Sequence, residues 1–503
     1  MNMSIFTDLV EDNPWWRDPS LIGRDMKIVD LDGSVVNWKP RIAQTFNFSK
    51  DLMYSLRGPR QVGKTTLVKI QIKQKLDEGI SPHNIMYYAF DVDTSPRDLV
   101  NVIKTYLDNT ERLRKGRRCY IFLDEVSAVK DWQRGIKRLW DQGRLENCTV
   151  VATGSNTIDI KMSSERLPGR RGSSNDTLDK IMLPMKFSEF VAAIGGDIKD
   201  LLERYDLTVS GMRHMHFKSI LDLNLDLGIE YLRPHIPKLN RYLMYYLQTG
   251  GTPRVINEYL GSGLVKENTF KTYLDAILGD LQSLNKNQNT FRRLIRSIIK
   301  AVGNTSSWKS LQKNTDIGSS DTVASYVDTL QNMFILSVFY QYSTESKRGL
   351  FQKNKKIHFH DPFYFHVLNG WVGGDRPSFD IATSYLDDDT NQGTLVEGVV
   401  ANHLIRLAFS ISSKKQNFEY SDILYYWRYG KDKEVDFVYN DGDGTEVPIE
   451  VKFQNRITSR DLDGLINFKR NTGQRNAILL SKDKLSLENE YVAIPVSLFL
   501  LLV

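Results

Sequence analysis

Cysteine is almost absent from this chain of 503 residues, which carries only Cys119 and Cys148. Two thiols cannot build a disulfide framework or a cysteine-rich zinc site. Both flank apolar runs, so buried thiols in a reducing compartment are expected. Long apolar runs are absent as well, and no stretch reaches the roughly 20 residues of a membrane span. No membrane partner is expected, and the cytoplasm is the expected compartment. Residues 1–13 mix Asp, Glu and Thr and lack a signal-peptide core. The apolar tail 494–503 is short and reads as a packed terminal element. Nor is there a large surplus of one charge: 67 Lys and Arg against 61 Asp and Glu leave +6. That balance permits a local basic patch on nucleic acid without requiring one. With 41% apolar and 25% charged residues the composition is that of a globular chain, not a disordered one. The length predicts about three domains.

What is present begins at Gly58. Gly58, Pro59, Arg60, Gln61, Val62, Gly63, Lys64, Thr65 and Thr66 complete the pattern G-x-x-x-x-G-K-[ST] of a phosphate-binding loop. A short apolar strand is expected before it at 52–56, and a helix after it at 64–76 with Leu67 and Ile70 turned inward. Glycines let successive N–H groups curl around β- and γ-phosphates, and the helix adds the positive end of its dipole. Lys64 can reach the terminal phosphates and Thr65 can hold Mg²⁺. A bound nucleoside triphosphate is the expectation.

Strands and helices then alternate, as in a parallel sheet. A strand at 85–90 and a helix at 98–106 precede the apolar run 119–123, which ends in Asp124 and Glu125. Ligands of such sheets lie at the carboxyl ends of strands, so both acids are placed at the nucleotide. Asp124 would orient Mg²⁺ and its waters, and Glu125 would polarise the attacking water. The next strand, 149–153, runs into Gly154, Ser155 and Asn156. Asn156 is either a sensor of the γ-phosphate or a plain polar strand end. Arg170 and Arg171 stand in a Gly-rich loop, where guanidinium forks suit phosphate oxygens; a solvated basic loop is the alternative.

Gly58–Thr66, Leu123 to Glu125, Thr153 to Asn156, the Gly-Arg-Arg loop and the segment 183–190 fall in order. With Asn13-Pro-Trp-Trp16 and Thr249-Gly-Gly-Thr-Pro253, this series resembles the prokaryotic, especially archaeal, AAA-type ATPases with a nuclease-like C-terminal domain. The resemblance covers nearly the whole chain and implies ATP as the nucleotide. It further implies that Arg170 or Arg171 is an arginine finger acting on a neighbouring subunit, hence a homo-oligomer.

Residues 190–240 are helical and charged, with helices expected at 201–207 and 217–223, and would form the lid. His214, His216 and His235 lack the convergent spacing of a metal site. Helices at 291–302, 308–313 and 321–332 precede strands at 334–340 and 356–360, joined by a basic loop with Lys347, Arg348, Lys353 and Lys355. Three helices and a two-stranded ribbon read as a winged helix-turn-helix. It would engage DNA, or serve as a packing module; Asp321 and Asp328 on its exposed face would repel phosphate.

The segment 387–393 reads as a polar linker. A helix at 395–407 carries Glu397, and strands follow at 424–429, 433–439 and 447–453. Strand alternation puts Glu450 and Lys452 on one face, which also receives Asp436. This resembles the PD-(D/E)xK nuclease fold. The resemblance implies Mg²⁺ on Asp436 and Glu450, completed by Glu397, with Lys452 placing a water; a degenerate fold used for binding is the alternative. The expected fold class is α/β. It comprises a P-loop AAA-type parallel-sheet core (1–190), a helical lid (191–285), a winged helix with connector (286–385) and a nuclease-like α/β domain (386–503).

Overall fold

Residues 119–124 contain no polar side chain before Asp124, and a strand of this kind must be covered on both faces. The computed structural model, which describes residues 2–91, 94–114, 116–154, 178–207, 210–221, 227–313, 315–411, 420–430, 432–440 and 445–503, buries every residue of it. The chain divides into two compact units, Met1–Leu183 and Pro184–Val503.

In the first unit five strands are β1 (Met53–Arg57), β2 (Ile85–Ala89), β3 (Cys119–Asp124), β4 (Cys148–Thr153) and β5 (Asp179–Ile181). They lie in the order β2-β3-β4-β1-β5, and every neighbouring pair is parallel. The expected βαβ rhythm is therefore present, with the helix after β2 longer than expected, Pro96–Arg114. Cys119 and Cys148 are register partners at the start of β3 and β4, and both are free and buried. Burial of Ile121, Leu123, Val150 and Ala152 at 0% exposure places the core on this sheet.

The edge strand β2 would expose unpaired backbone groups. The segment after the helix Asn2–Asp12 closes it. Asn13 donates from Nδ2 to Tyr87 O at 2.8 Å and accepts from Tyr87 N at 2.7 Å. Both indoles of Trp15 and Trp16 donate to Ile85 O, at 3.2 and 2.8 Å. The Asn-Pro-Trp-Trp motif is thus a clamp on a sheet edge.

The second unit holds a nine-stranded sheet in the order β13-β14-β12-β11-β10-β9-β7-β8-β6. Its strands are β6 (Thr305–Ser306), β7 (Leu336–Ser343), β8 (Arg348–Phe359), β9 (Leu424–Tyr429), β10 (Lys433–Asn440), β11 (Glu446–Lys452), β12 (Ile478–Ser481), β13 (Ser486–Leu487) and β14 (Val492–Pro495). Several expectations change here. The hairpin β7–β8 is not a separate wing, because β7 pairs with β9 at Gln341 and Tyr426. One continuous sheet has strands on both sides of residue 385. The basic loop is mostly strand: β8 begins at Arg348, and Lys355 pairs with Tyr340 in its ladder. Lys355 is buried with its ammonium 5.1 Å from the Trp308 ring, whereas Lys347, which pairs with Glu446, and Arg348 and Lys353 are exposed. The expected linker 387–393 is mostly the start of the helix Asp389–Ile411. Asp388 accepts from Asn391 N at 2.9 Å, so the acidic run caps a helix N-terminus. The helices expected at 201–207 and 217–223 are Asp197–Arg204 and Ser210–Leu221, and Leu227–Leu232 and Ile236–Thr249 follow them.

Two further sequence features have structural causes. Ser319 caps the helix Ser320–Asn332 through Thr322 N, and Val323, Tyr326, Val327 and Leu330 form its buried face. The Thr249–Pro253 turn is built on Asp361, which accepts from Gly251 N at 2.8 Å. A Cβ on Gly250, where φ is +62°, would lie 1.9 Å from the Asp361 carboxylate, so only glycine fits. The tail becomes β14 and the helix Val496–Leu502, every residue of which is buried. Among the described residues no helix is long and apolar enough to cross a membrane.

Candidate functional site

The phosphate loop joins β1 to the helix Lys64–Asp77. Its backbone needs glycine twice. Gly58 has φ +156°, and a Cβ there would lie 2.0 Å from Met182 O; Gly63 has φ +103°. Gln61 also adopts the left-handed region, at φ 62°. Lys64 is 7% exposed, and its ammonium donates to Gly58 O at 2.9 Å and Pro59 O at 3.0 Å. Arg60, Val62 and Thr66 lie in the same loop and first turn, with Val62 buried.

Asp124 ends β3 and is 2% exposed. A buried carboxylate needs donors, and four groups supply them. Thr65 Oγ1 donates to Oδ2 at 2.8 Å, and Tyr87 OH donates to the same oxygen at 3.1 Å. Thr153 Oγ1 donates to Oδ1, joined by Glu125 N at 3.2 Å. Parallel pairing explains the convergence. Tyr87 is opposite Phe122, two residues before Asp124, so both side chains share one face. Glu125 then takes φ 54°, which turns the chain out of the strand. For a non-glycine residue that conformation costs about 1–2 kcal/mol. Burial, followed by the Asp124 charge, pushes the Tyr87 hydroxyl well up, so it stays a donor. Neither Tyr87 nor the bond from the Thr153 hydroxyl to Asp124 is visible in the sequence; both residues lie on other strands, and only register brings them to Asp124. Thr65 beside Asp124 is a donor set that fits a Mg²⁺ held by a hydroxyl and by carboxylate-bound water. Asn156, Arg170 and Arg171 lie outside the described residues.

In the second unit the structure brings Glu397, Asp436, Glu450 and Lys452 together. The register Phe437↔Ile449 sets Asp436 alongside Glu450. Asp436 N donates to Glu450 Oε2 at 3.3 Å, and Val451 N donates to Asp436 Oδ2 at 2.9 Å. Lys452 reaches Glu450 Oε1 at 2.5 Å. Two residues that the sequence reading missed complete the cluster. Lys356 of β8, with a side chain 1% exposed, places its ammonium 2.8 Å from Glu397, 2.8 Å from Glu434 and 2.7 Å from Asp436.

The electrostatics follow from burial. It pushes Glu397 up to about 7 and Glu450 up to about 8, with the Asp436 charge adding to each. Burial would raise Asp436 too, but Lys356 and Lys452 outweigh it and hold that carboxyl below the usual range. Lys356 is kept charged by its three carboxylates against its own desolvation. Removing one partner from a buried set of this kind costs about 3–5 kcal/mol. Both oxygens of Asp436 and of Glu450 already accept from protein donors. Among the described residues no group of three or more His, Cys, Asp or Glu side chains is arranged to hold a metal ion. As arranged, Glu397, Asp436 and Glu450 do not fit a divalent cation, because a fixed ammonium, that of Lys356, already bridges Glu397 and Asp436.

Residues 50–191 match the AAA domain family, residues 240–374 match a domain of unknown function, DUF8612, and residues 392–499 match another, DUF4143. No curated protein matches the sequence. Among solved structures, a Walker-type ATPase of Pyrococcus abyssi is 14% identical, with TM-score 0.36 over 70% of this chain and 97% of its own. The Aeropyrum pernix ORC1 protein in complex with DNA is 12% identical, with TM-score 0.30 over 71% and 95%. A Thermotoga maritima RuvB variant is 16% identical, with TM-score 0.26 over 57% and 82%. Scores this low do not establish a shared overall fold. The family match and the parallel sheet with its phosphate loop together support an AAA-type P-loop ATPase in the first unit.

Proposed function

We propose that the protein is an ATP-hydrolysing switch in which turnover in the first unit governs how the second unit engages DNA, without cutting it. The observation that carries the hydrolytic reading is the 2.8 Å bond from Thr65 to Asp124, which sets the hydroxyl and carboxylate side by side at the phosphate loop. Those two residues would hold Mg²⁺, which neutralises phosphate charge when bound. Lys64 exchanges the Gly58 and Pro59 carbonyls for phosphate oxygens. Glu125, next in the chain, polarises the attacking water. Arg170 or Arg171 of a neighbouring subunit offsets charge on the transferred group, which makes a homo-oligomer the working form.

DNA engagement rests on the helix Ser320–Asn332 and on Arg348 and Lys353 of the adjoining hairpin, both exposed. The non-cleaving reading is favoured over a metal-dependent nuclease by the Lys356 ammonium, which already bridges Glu397 and Asp436 where a shared cation would have to sit. Steady-state turnover tests the core claim. Lys64→Ala loses ATP binding and turnover, whereas Glu125→Gln loses turnover and retains ATP. Wild-type turnover in Glu125→Gln would sink the assignment of the water-polarising group. Removing Arg170 and Arg171 together lowers turnover without weakening ATP binding. Anisotropy of labelled duplex DNA should change between ATP and ADP with the strands left intact.

A further inference from the structure

We propose that the carboxylate cluster of the second unit is closed by Lys356, whose ammonium takes the place of a divalent cation, so that the cluster is an ionic lock. The inference deepens the non-cleaving reading and rests on it.

The backbone of Lys356 is fixed from both sides. In the sheet it pairs with Phe339 of β7 and with Thr305 of β6. Strand alternation sends Lys355 to the opposite face, against Trp308, and leaves Lys356 pointing inward. The ammonium donates to Glu397 at 2.8 Å and to Asp436 at 2.7 Å, and it forms an ion pair with Glu434 at 2.8 Å. Those carboxylates come from the helix Asp389–Ile411 and from β10, so one side chain ties hairpin, helix and sheet together.

Retreat is closed off. His358, 0% exposed, sets Nε2 3.4 Å from Glu397, and its ring packs on Phe339 and Phe437 with centroids 5.7 and 5.8 Å away. Burial holds that imidazole neutral, at about 3. A dication on the same oxygens would sit within a few ångströms of a fixed positive charge in a medium that screens weakly. Glu434 marks the difference from a bare metal site. It adds a negative charge beside the ammonium, and its other oxygen lies 3.7 Å from Arg428.

The test is Mn²⁺ binding by electron paramagnetic resonance on the full chain without nucleotide, in a Thr65→Ala background that removes the phosphate-loop site. Adding Asp436→Asn is expected to leave the Mn²⁺ isotherm unchanged. Mn²⁺ bound by the Thr65→Ala chain and lost with Asp436→Asn would overturn the lock. In the same background Lys356→Gln should bind Mn²⁺ at least tenfold more tightly, and Asp436→Asn should abolish the gain. A folded Lys356→Gln chain with no gain also overturns it. Should Lys356→Gln fail to fold, the Asp436→Asn comparison decides alone. DNA cleavage by the wild-type chain would sink the non-cleaving reading, whereas Mn²⁺ held at the cluster without cleavage would sink only the lock.

Discussion

Replacing Asn13 by alanine should destabilise the first unit by about 3 kcal/mol, although Asn13 is far in sequence from the phosphate loop. The figure comes from three hydrogen bonds: Nδ2 to Leu9 O at 2.7 Å, Nδ2 to Tyr87 O at 2.8 Å, and Tyr87 N to Oδ1 at 2.7 Å. Each contributes a net ~1 kcal/mol. Asn13 is 0% exposed and Tyr87 is 7% exposed, so water does not replace the lost partners, and the sum is a lower bound. For a unit of this size, about 2–4 °C per kcal/mol gives a fall in Tm of roughly 6–12 °C.

Calorimetry on the full chain can read this. The first unit's transition is the one that ATP with Mg²⁺ raises, because ligand binding stabilises only the unit that binds. The second unit's transition should not move. Asn13→Asp provides the sharper control. It keeps an acceptor for Tyr87 N but turns a carboxylate oxygen toward the Leu9 and Tyr87 carbonyls. It should therefore be at least as damaging as alanine, despite its nearly identical shape. A fall below about 2 °C for Asn13→Ala, or a milder effect for Asn13→Asp, would refute the claim that this residue closes the sheet edge.

The remaining predictions concern the nucleotide site and the buried histidines. Tyr87→Phe removes one donor from Asp124 and should lower kcat severalfold with little change in ATP affinity; an unchanged kcat would show that Thr65, Thr153 and Glu125 N suffice. Gly58→Ala places a methyl 2.0 Å from Met182 O, so fluorescent-nucleotide titration should show loss of ATP binding, and retained affinity would refute the close approach. His360 is buried and held down to about 3, below its ordinary 6.5. Its stabilising contribution is full above 6.5 and is lost as pH falls, so between pH 7 and 5 the wild type should lose about 2 kcal/mol more than His360→Asn in chemical denaturation. Equal losses would show that His360 is not held neutral.

The phosphate loop and the acids ending β3 were legible because each is a local pattern: a run of glycines with Lys and Thr, and an apolar strand stopping at Asp124. What stayed hidden depends on which strand lies beside which. Tyr87 reads as one more aromatic on an apolar strand until register sets it two places from Asp124 on the same face. Asp387 to Asp389 look equally like a linker and a helix cap, and the bond from Asn391 N to Asp388 decides for the cap.

Lys355 and Lys356 are the most instructive pair. The sequence pattern puts Lys355 at the end of a basic loop and Lys356 at the start of the strand after it. Placed on a strand, adjacent side chains face opposite ways, so both can be solvated only if both faces of the strand are wet. Ile357 and Phe359, on one face, and His358, on the other, are buried, so β8 is covered on both sides. At least one lysine then has to find carboxylates inside. Glu397 and Asp436 are acids in elements whose pattern reads as buried, and Glu434 lies two residues before Asp436 on the same strand. Lys356 is the lysine that strand alternation turns away from water and onto those carboxylates.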